Sequence, residues 1–492
     1  MRVALLITSV LLFLTCTNSV RILAIFPMLS HSHYTIGHTL MKELAKRGHE
    51  ITFVSLFPEK EKVNNLTSVV LDGIQQKYQE SKSSLSPFSL HNIPSFLTIF
   101  MLNQMTCQLL EEILEHETMQ ALLKNKDKQY DIVLSEQFML DGLLAVGQHF
   151  GVPYGLVSAI GPSTWSNHLV GAPDIPSYMG SIITENKVHT SFYTRMNDII
   201  QKYVPNSPHI YDIIYNTSLI IYNSDVALSQ PLPTAPNMIE IGGFHVLPPK
   251  KLPDDLQKLL DNAKNGVIYF SMGSVMKSKL LPLEKRQEIL KALSKVKETV
   301  LWKFEENLPD LPPNVVIKDW FPQTDLLAHP NVKVFITHGG RLSTIEALYR
   351  GVPIVGIPVF GDQTMNMANA VSCGHGVMIP YGDLSEETLT NALKEVLHNP
   401  KYSISAKHGS SVLQDQIVNP IDKAEYWIEY VVKYKGAKHL RLASVDLAWY
   451  QHASLDVILF LGVVDLLLVW VFYKIARRLC CRSKKNKKQK VN

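Results

Sequence analysis

Cysteine is scarce in this chain, with five in 492 residues. So few, so widely spread, exclude a disulfide framework. Cys16 lies in an apolar leader and Cys480-Cys481 in a basic tail, where they form a palmitoylation candidate. Cys107 and Cys373 remain in the body, and both are read as buried thiols. Asp-x-Asp motifs and histidine clusters at metal-ligand spacing are missing too, so neither a metal nor a resident cofactor is expected. No short repeat is present, which argues against a solenoid. Residues 83–110 contain no Lys, Arg, Asp or Glu but are rich in Leu, Phe, Met and Pro. That composition suits core, or an adaptable apolar wall for a ligand. Acidic residues are absent from 474–492, which carries nine Lys or Arg, so the net +4 of the chain leaves −5 on the rest. The basic run is a tail rather than a face, and nucleic acid is not an expected partner.

Two long apolar runs carry sorting information. Arg2, an apolar stretch over 3–14 and the small residues Thr17 and Ser19 read as a signal peptide over 1–19. Residues 454–473 are long enough to span a bilayer, and the basic tail at 474–492 places that end in the cytosol. Asp456 sits at the edge of the span. Asp465 lies near its middle, at a cost of about 2.5–3.5 kcal/mol on insertion scales, which protonation or a second copy of the chain would relieve. A homo-oligomer is therefore admitted. Lys488 and Lys490, fifth and third from the end, resemble a dilysine retrieval signal. Together these features indicate a single-pass protein of the endoplasmic reticulum membrane with a lumenal body. Sequons at Asn65 and Asn216 fit that compartment as glycosylation sites.

The body alternates strands and helices. Residues 20–26, a helix over 36–46 and residues 51–57 form a βαβ unit. A Pro-Lys linker at 247–253 separates a first domain, 20–246, from a second, 254–453, with strands at 266–271, 299–304, 315–320, 332–337 and 353–359. The most informative stretch is 335–363, where an apolar strand, a His338-Gly339-Gly340 turn and a helix over 342–350 follow in succession. Such a turn gathers unpaired N–H donors where a phosphate can sit. Ser343-x-x-Glu346 is equally a capping box, and any parallel sheet contains such turns.

Phe335-Ile336-Thr337-His338-Gly339-Gly340, then Glu346, Gly351-Val352-Pro353 and Pro358 to Asp362-Gln363, resembles the signature of the UDP-glycosyltransferases, the family that includes UDP-glucuronosyltransferases. The likeness extends to Phe270-Ser271-Met272-Gly273-Ser274, to Trp320-Phe321-Pro322-Gln323 and to the juxtamembrane segment from Gly436 to Asp456. It implies a GT-B α/β fold of two Rossmann-like domains with a C-terminal transmembrane helix. It also implies a UDP-sugar as co-substrate. Ser274, His338, Gly340 and Ser343 would meet the diphosphate, Trp320 would stack on uracil and Gln323 would hold the nucleoside. Glu346 would bind the ribose, with Asp362 and Gln363 on the sugar. Arg341 either adds charge beside the phosphates or points to solvent. Leu342 departs from the Asn that vertebrate and plant members carry there.

In the first domain the loop after residue 26 carries His31 and His33. Loops at strand carboxyl ends are where open α/β sheets bind ligands, and a histidine suits a general base at neutral pH. The resemblance places the catalytic His-aromatic pair a fixed distance before Arg47-Gly48-His49-Glu50, which selects His33-Tyr34. A carboxylate should orient it. Glu136, at the end of a strand over 130–136, is the candidate, Asp141 is second, and Asp131 reads as a cap. Vertebrate members carry Asp at the position of Glu136. The Glu and the Leu342-Ser343 pair resemble invertebrate members, which commonly use UDP-glucose. The function implied is inverting, metal-independent transfer of a hexose to a small lipophilic alcohol. UDP-glucuronate as donor, an inactive sugar-nucleotide binder and a structural membrane protein are the alternatives.

Overall fold

The computed structural model describes residues 19–59, 61–81, 88–89, 93, 95–125, 127–172, 196, 199–204, 206–229, 231–452 and 454–488. The expected leader, apart from Ser19, and Lys490 of the dilysine element lie outside the described residues. By contacts the chain divides into Met1–Arg441 and Leu442–Asn492.

Within the first unit, apolar runs bounded by turns form two all-parallel sheets. One holds β1 (Arg21–Phe26), β2 (Glu50–Ser55), β3 (Leu66–Val70), β4 (Ile132–Glu136), β5 (Tyr154–Ser158), β6 (Leu219–Tyr222) and β7 (Met238–Glu240), in the order β3-β2-β1-β4-β5-β6-β7. The other holds β8 (Val267–Ser271), β9 (Thr299–Lys303), β10 (Val315–Lys318), β11 (Val332–Thr337), β12 (Ile354–Gly356) and β13 (Gly376–Met378), in the order β10-β9-β8-β11-β12-β13. Each order reverses once, between β1 and β4 and between β8 and β11. At such a switch the flanking connections leave in opposite directions and open a crevice at the strand carboxyl ends.

Both faces of these sheets are covered, which is why the strands read as continuous apolar runs. Along β8, Ile268 and Phe270 enter one core with Trp302 and Ile336, while Val267 and Tyr269 enter another with Leu301 and Phe335. In the first sheet Ile22, Ala24 and Phe26 pack with Leu40, Leu44 and Ile132. The helix α1 (His31–Lys46) lies on that sheet with Tyr34, Ile36, Leu40, Met41 and Leu44 inward. Gly37 permits the close approach: a Cβ there would come within 2.3 Å of the Phe26 ring.

The boundaries carry two differences from expectation. The first helix begins at His31, not at 36, so His31 and His33 occupy its first turn. Ser30, extended at the N-cap, accepts the Tyr34 amide and lets the helix start directly after the strand exit. The strand expected over 353–359 is regular only over Ile354–Gly356, because Pro358 has no N–H for a ladder.

Further along, α2 (Arg341–Tyr349) and α3 (Gln363–Ser372) belong to the second sheet. The helix α4 (Pro420–Lys433) follows them in sequence yet packs on the first sheet. Ile421, Ala424, Ile428 and Val431 join the core of β1, β2 and β6, and Arg47 contacts both Asp422 and Glu425. Residues assigned by sequence to the second domain thus complete the first. Cys107 is buried as expected. Cys373 is exposed, because it is the C-cap of α3 at the surface, and no disulfide joins the two.

In the second unit α5 (Leu455–Lys488) continues well past residue 473. Its portion Leu455–Arg478 contains an 18-residue window with a mean hydropathy of 2.5 and is long and apolar enough to cross a membrane.

Because Ile428 is 1 % exposed in α4, Ile428→Ala should destabilise the body by about 2–5 kcal/mol. Urea unfolding followed by intrinsic fluorescence measures this, and β1-side tryptophan-free probes such as hydrogen exchange should show the loss on the first sheet.

Candidate active site

The two strand-end edges bring together residues far apart in sequence. β1 and β4 are neighbours, with Ile25 opposite Ser135, so the first turn of α1 stands over the end of β4. There His33 Nδ1 contacts Glu136 Oε1. The histidine is 17 % exposed and the carboxylate 2 %. Phe138 abuts the imidazole edge-on at 4.8 Å between centroids. With Nδ1 committed, Nε2 is the nitrogen left for a substrate. Burial pulls the His33 pKa down, but Glu136, by charge and hydrogen bond, and then Asp362 raise it above its ordinary value of 6.5. Asp362 is the N-cap of α3 in the second domain, so the two domains meet electrostatically at His33.

His33 takes Glu136 rather than Asp141, which is buried in a 3-10 turn over Asp141–Leu144. Asp131 forms a fork with Arg21, with Oδ1 2.7 Å from Nη2 and Oδ2 3.1 Å from Nε. It sits at the opposite end of the strands and also accepts the Arg21 amide at 2.8 Å, so in place of the cap expected it holds the start of β1.

On the second domain the nucleoside candidates form one bonded group. Gln323 Nε2 donates to Glu346 Oε2 at 2.6 Å and Ser343 Oγ at 3.1 Å, and Thr324 Oγ1 donates to Glu346 Oε1 at 3.0 Å. Burial raises the Glu346 pKa, against those two donors. Trp320 is 60 % exposed, a planar apolar face held outside the core. The helix α2 starts at Arg341 after Gly340, with no side-chain cap. The capping box expected from Ser343 and Glu346 does not form, since both lie inside the helix and bond to Gln323. The first-turn amides keep no side-chain acceptor.

His338 faces Gly273, whose φ of +87° and missing Cβ both matter: a Cβ there would lie 2.5 Å from the imidazole. Burial, helped by Lys303, pushes the His338 pKa down to about 4. Its Nδ1 is buried without a partner. This ring is therefore neutral at physiological pH and offers a hydrogen bond, not a cation's charge. The sequence reading missed the residue that does carry charge. Buried Lys303 donates to Gly273 O at 2.7 Å and Glu305 Oε1 at 3.2 Å, and lies 5.6 Å over the Trp320 ring. Its only sequence signal was a charge at the end of an apolar strand. Ser274 is exposed beside it.

Asp362 accepts from Asn366 Nδ2 at 2.7 Å. Gln363 is inward-turned: its Oε1 accepts the Val359 and Phe360 amides at 2.8 and 3.2 Å. Its Nε2 donates to Met276 Sδ at 3.6 Å, so toward a sugar this amide has no free oxygen and one N–H left to donate. On the long helix Ser95–Glu115, Leu97, Phe100 and Met101 are 43, 49 and 46 % exposed at helical spacing. They make an apolar face from part of the uncharged segment, of which residues 83–87, 90–92 and 94 lie outside the described residues. Asn65 is exposed, whereas Asn216 is half-buried with its backbone carbonyl accepting from Arg441 at 2.8 Å.

Among the described residues one trio, His49, Glu425 and Glu429, has ligand atoms within 4.8 Å of one another. It does not fit a metal. His49 Nδ1 accepts the Val20 amide at 3.2 Å, so a neutral ring carries its proton on Nε2, which points at Glu425 Oε1 at 3.0 Å. No ring lone pair remains for an ion, and the other Glu425 oxygen is held by Arg47.

Residues 205–491 match the family model described as "UDP-glucoronosyl and UDP-glucosyl transferase". The chain is 33 % identical to UDP-glucosyltransferase 2 of Dactylopius coccus, over 97 % of both chains. It is 33 % identical to UDP-glycosyltransferase UGT5 of the same insect, over 95 % of this chain and 94 % of the relative. Identity to human UDP-glucuronosyltransferase 2B7 is 30 %, over 91 % and 93 %. Among solved structures, CalG4, the calicheamicin glycosyltransferase, superposes with a TM-score of 0.62 at 18 % identity over 84 % of this chain and 100 % of that one. The glycosyltransferase of kitacinnamycin gives a TM-score of 0.59 at 17 % identity, over 84 % and 100 %. These neighbours share the GT-B arrangement of two Rossmann-like domains.

The electrostatics of His33 are directly measurable. Glu136→Gln should lower its titration midpoint by NMR, and Asp362→Asn should lower it by less. By linkage, the stability that the pair contributes is present below the unfolded value near 6.5 and lost as pH rises through the raised folded value.

Proposed function

The chain belongs to the UDP-glycosyltransferase family, and from that premise we propose that it moves a hexose from UDP-glucose to the hydroxyl of a small lipophilic acceptor, inverting the anomeric carbon. The observation that carries this reading is the His33–Glu136 pair, whose imidazole also feels Asp362 of the opposite domain. His33 Nε2 takes the acceptor's hydroxyl proton as that oxygen bonds to the anomeric carbon. The bond from that carbon to the diphosphate oxygen breaks, its electron pair leaves with UDP, and Glu136 stabilises the imidazolium. Ser274, Gly340, Ser343 and neutral His338 would hold the diphosphate, with Lys303 and the first-turn amides of α2 meeting the charge that develops on it. No metal is needed for that step. Trp320, Gln323 and Glu346 would hold uridine, and Asp362 and Gln363 the sugar.

Glucose is preferred over glucuronate because Glu136 and Leu342-Ser343 follow the invertebrate pattern and one of the insect relatives is named UDP-glucosyltransferase 2. The exposed face of Leu97, Phe100 and Met101 supports an apolar acceptor. In the same reading the body is lumenal in the endoplasmic reticulum, with α5 as its single span and a cytosolic basic tail.

Membranes containing the chain, assayed with UDP-glucose and UDP-glucuronate against a panel of phenols and steroids, should show transfer from UDP-glucose, undiminished by EDTA. Preference for UDP-glucuronate overturns the donor assignment. His33→Ala should lower kcat by about 10²–10⁴-fold while UDP still binds; retained turnover removes His33 as base. Trp320→Ala should weaken UDP by about 1–3 kcal/mol, read by calorimetry.

A further inference from the structure

Arg341 opens α2 directly after the glycine turn, yet its side chain leaves the second domain. It is 8 % exposed. Nη1 donates to Leu228 O at 3.4 Å and Nη2 to Asn223 O at 3.5 Å, both beyond the end of β6 in the first domain. Nε is buried and has no partner. The side chain does not point to solvent, and it reaches across to the first domain instead of staying within the glycine turn.

The surroundings of the guanidinium are polar but do not balance its charge. Asn223 is fixed in turn, its Oδ1 accepting the Gly243 amide at 3.2 Å and its Nδ2 lying 3.3 Å from His245 Nδ1. Burial pushes His245 down to about 4, so it is neutral. Glu240 and Asp362 act on Arg341 only through space, and burial lowers its pKa to about 10 despite them. A cation out of water with two long bonds to neutral carbonyls is poorly compensated. Leu342, next along, packs into the first-domain core, so the start of α2 is fastened to the opposite domain by both residues.

We propose that Arg341 is a positioning residue for the transfer reaction, tying the diphosphate end of α2 to the first domain and carrying a buried charge that a bound diphosphate completes. This rests on the UDP-sugar reading. The charge lies on the residue whose own amide belongs to the anion-binding turn, inside a contact that excludes water, where screening is weak. Donor binding is then coupled to the closed arrangement of the two domains, and an uncharged nucleoside misses that gain.

The test compares UDP with uridine by calorimetry on the full chain in detergent. Wild type should bind UDP, and Arg341→Met should lose about tenfold or more of that affinity with uridine binding unchanged. Arg341→Gln, polar but uncharged, should lose UDP in the same selective way, and Arg341→Lys should keep most of it. Equal losses for UDP and uridine, or no loss in the Met and Gln variants, overturn the proposal and leave the donor reading standing. A wild type that binds no UDP overturns the donor reading itself, and this inference with it.

Discussion

Parallel sheets place all their strand carboxyl ends on one edge, and that constraint governs everything else in this molecule. A single sheet offers one reactive edge, at its switch point. Bringing two co-substrates together therefore requires two such edges to face each other. The chain meets the requirement with α4, which follows the second domain in sequence but completes the core of the first. Arg47 and His49, at the stop of α1, grip its Glu425. The Arg47-Gly48-His49-Glu50 motif, whose spacing selects His33, is thus also the point where α4 is fastened to the first domain. The contact is mechanical, and the geometric trio it forms with Glu429 is a clamp and not an ion site.

Much of this was readable from the residues. Apolar runs closed by glycine or proline located β1, β8, β9 and β11 to within a residue or two, because parallel strands buried on both faces show no polar alternation to confuse them. The site residues were readable as a set, since the long 335–363 pattern carries both strand–turn–helix geometry and polar side chains at fixed offsets. What escaped was tertiary. Nothing local says that 420–433 packs on the first sheet, as an amphipathic helix declares its apolar face but not its partner. The start of α1 at His31 depended on backbone geometry at Ser30, with no side-chain cap to announce it. Lys303 fell within a strand expected over 299–304 and drew no role, and Arg341 was left between the phosphates and solvent; the fold buries both. Gln363 was recognised, but the commitment of its carbonyl to Val359 and Phe360 depends on a turn that sequence does not specify.

The distribution of charge across the cleft gives the proposed reaction its direction. On the acceptor side Glu136 is buried, one oxygen against His33 and the other without a partner. That carboxylate is poorly compensated. In the second domain His338 is neutral, Lys303 has Glu305 at 3.2 Å, and Arg341 reaches two carbonyls while Glu240 and Asp362 act on it through space. In the proposed transfer the proton would pass to His33 against Glu136, and the negative charge developing on the diphosphate would meet Lys303, so these groups would favour the transition state over bound substrates. Glu136, where the resemblance places an aspartate in vertebrate members, still sets a buried carboxylate against His33 Nδ1, because β4 ends where the longer side chain makes that contact.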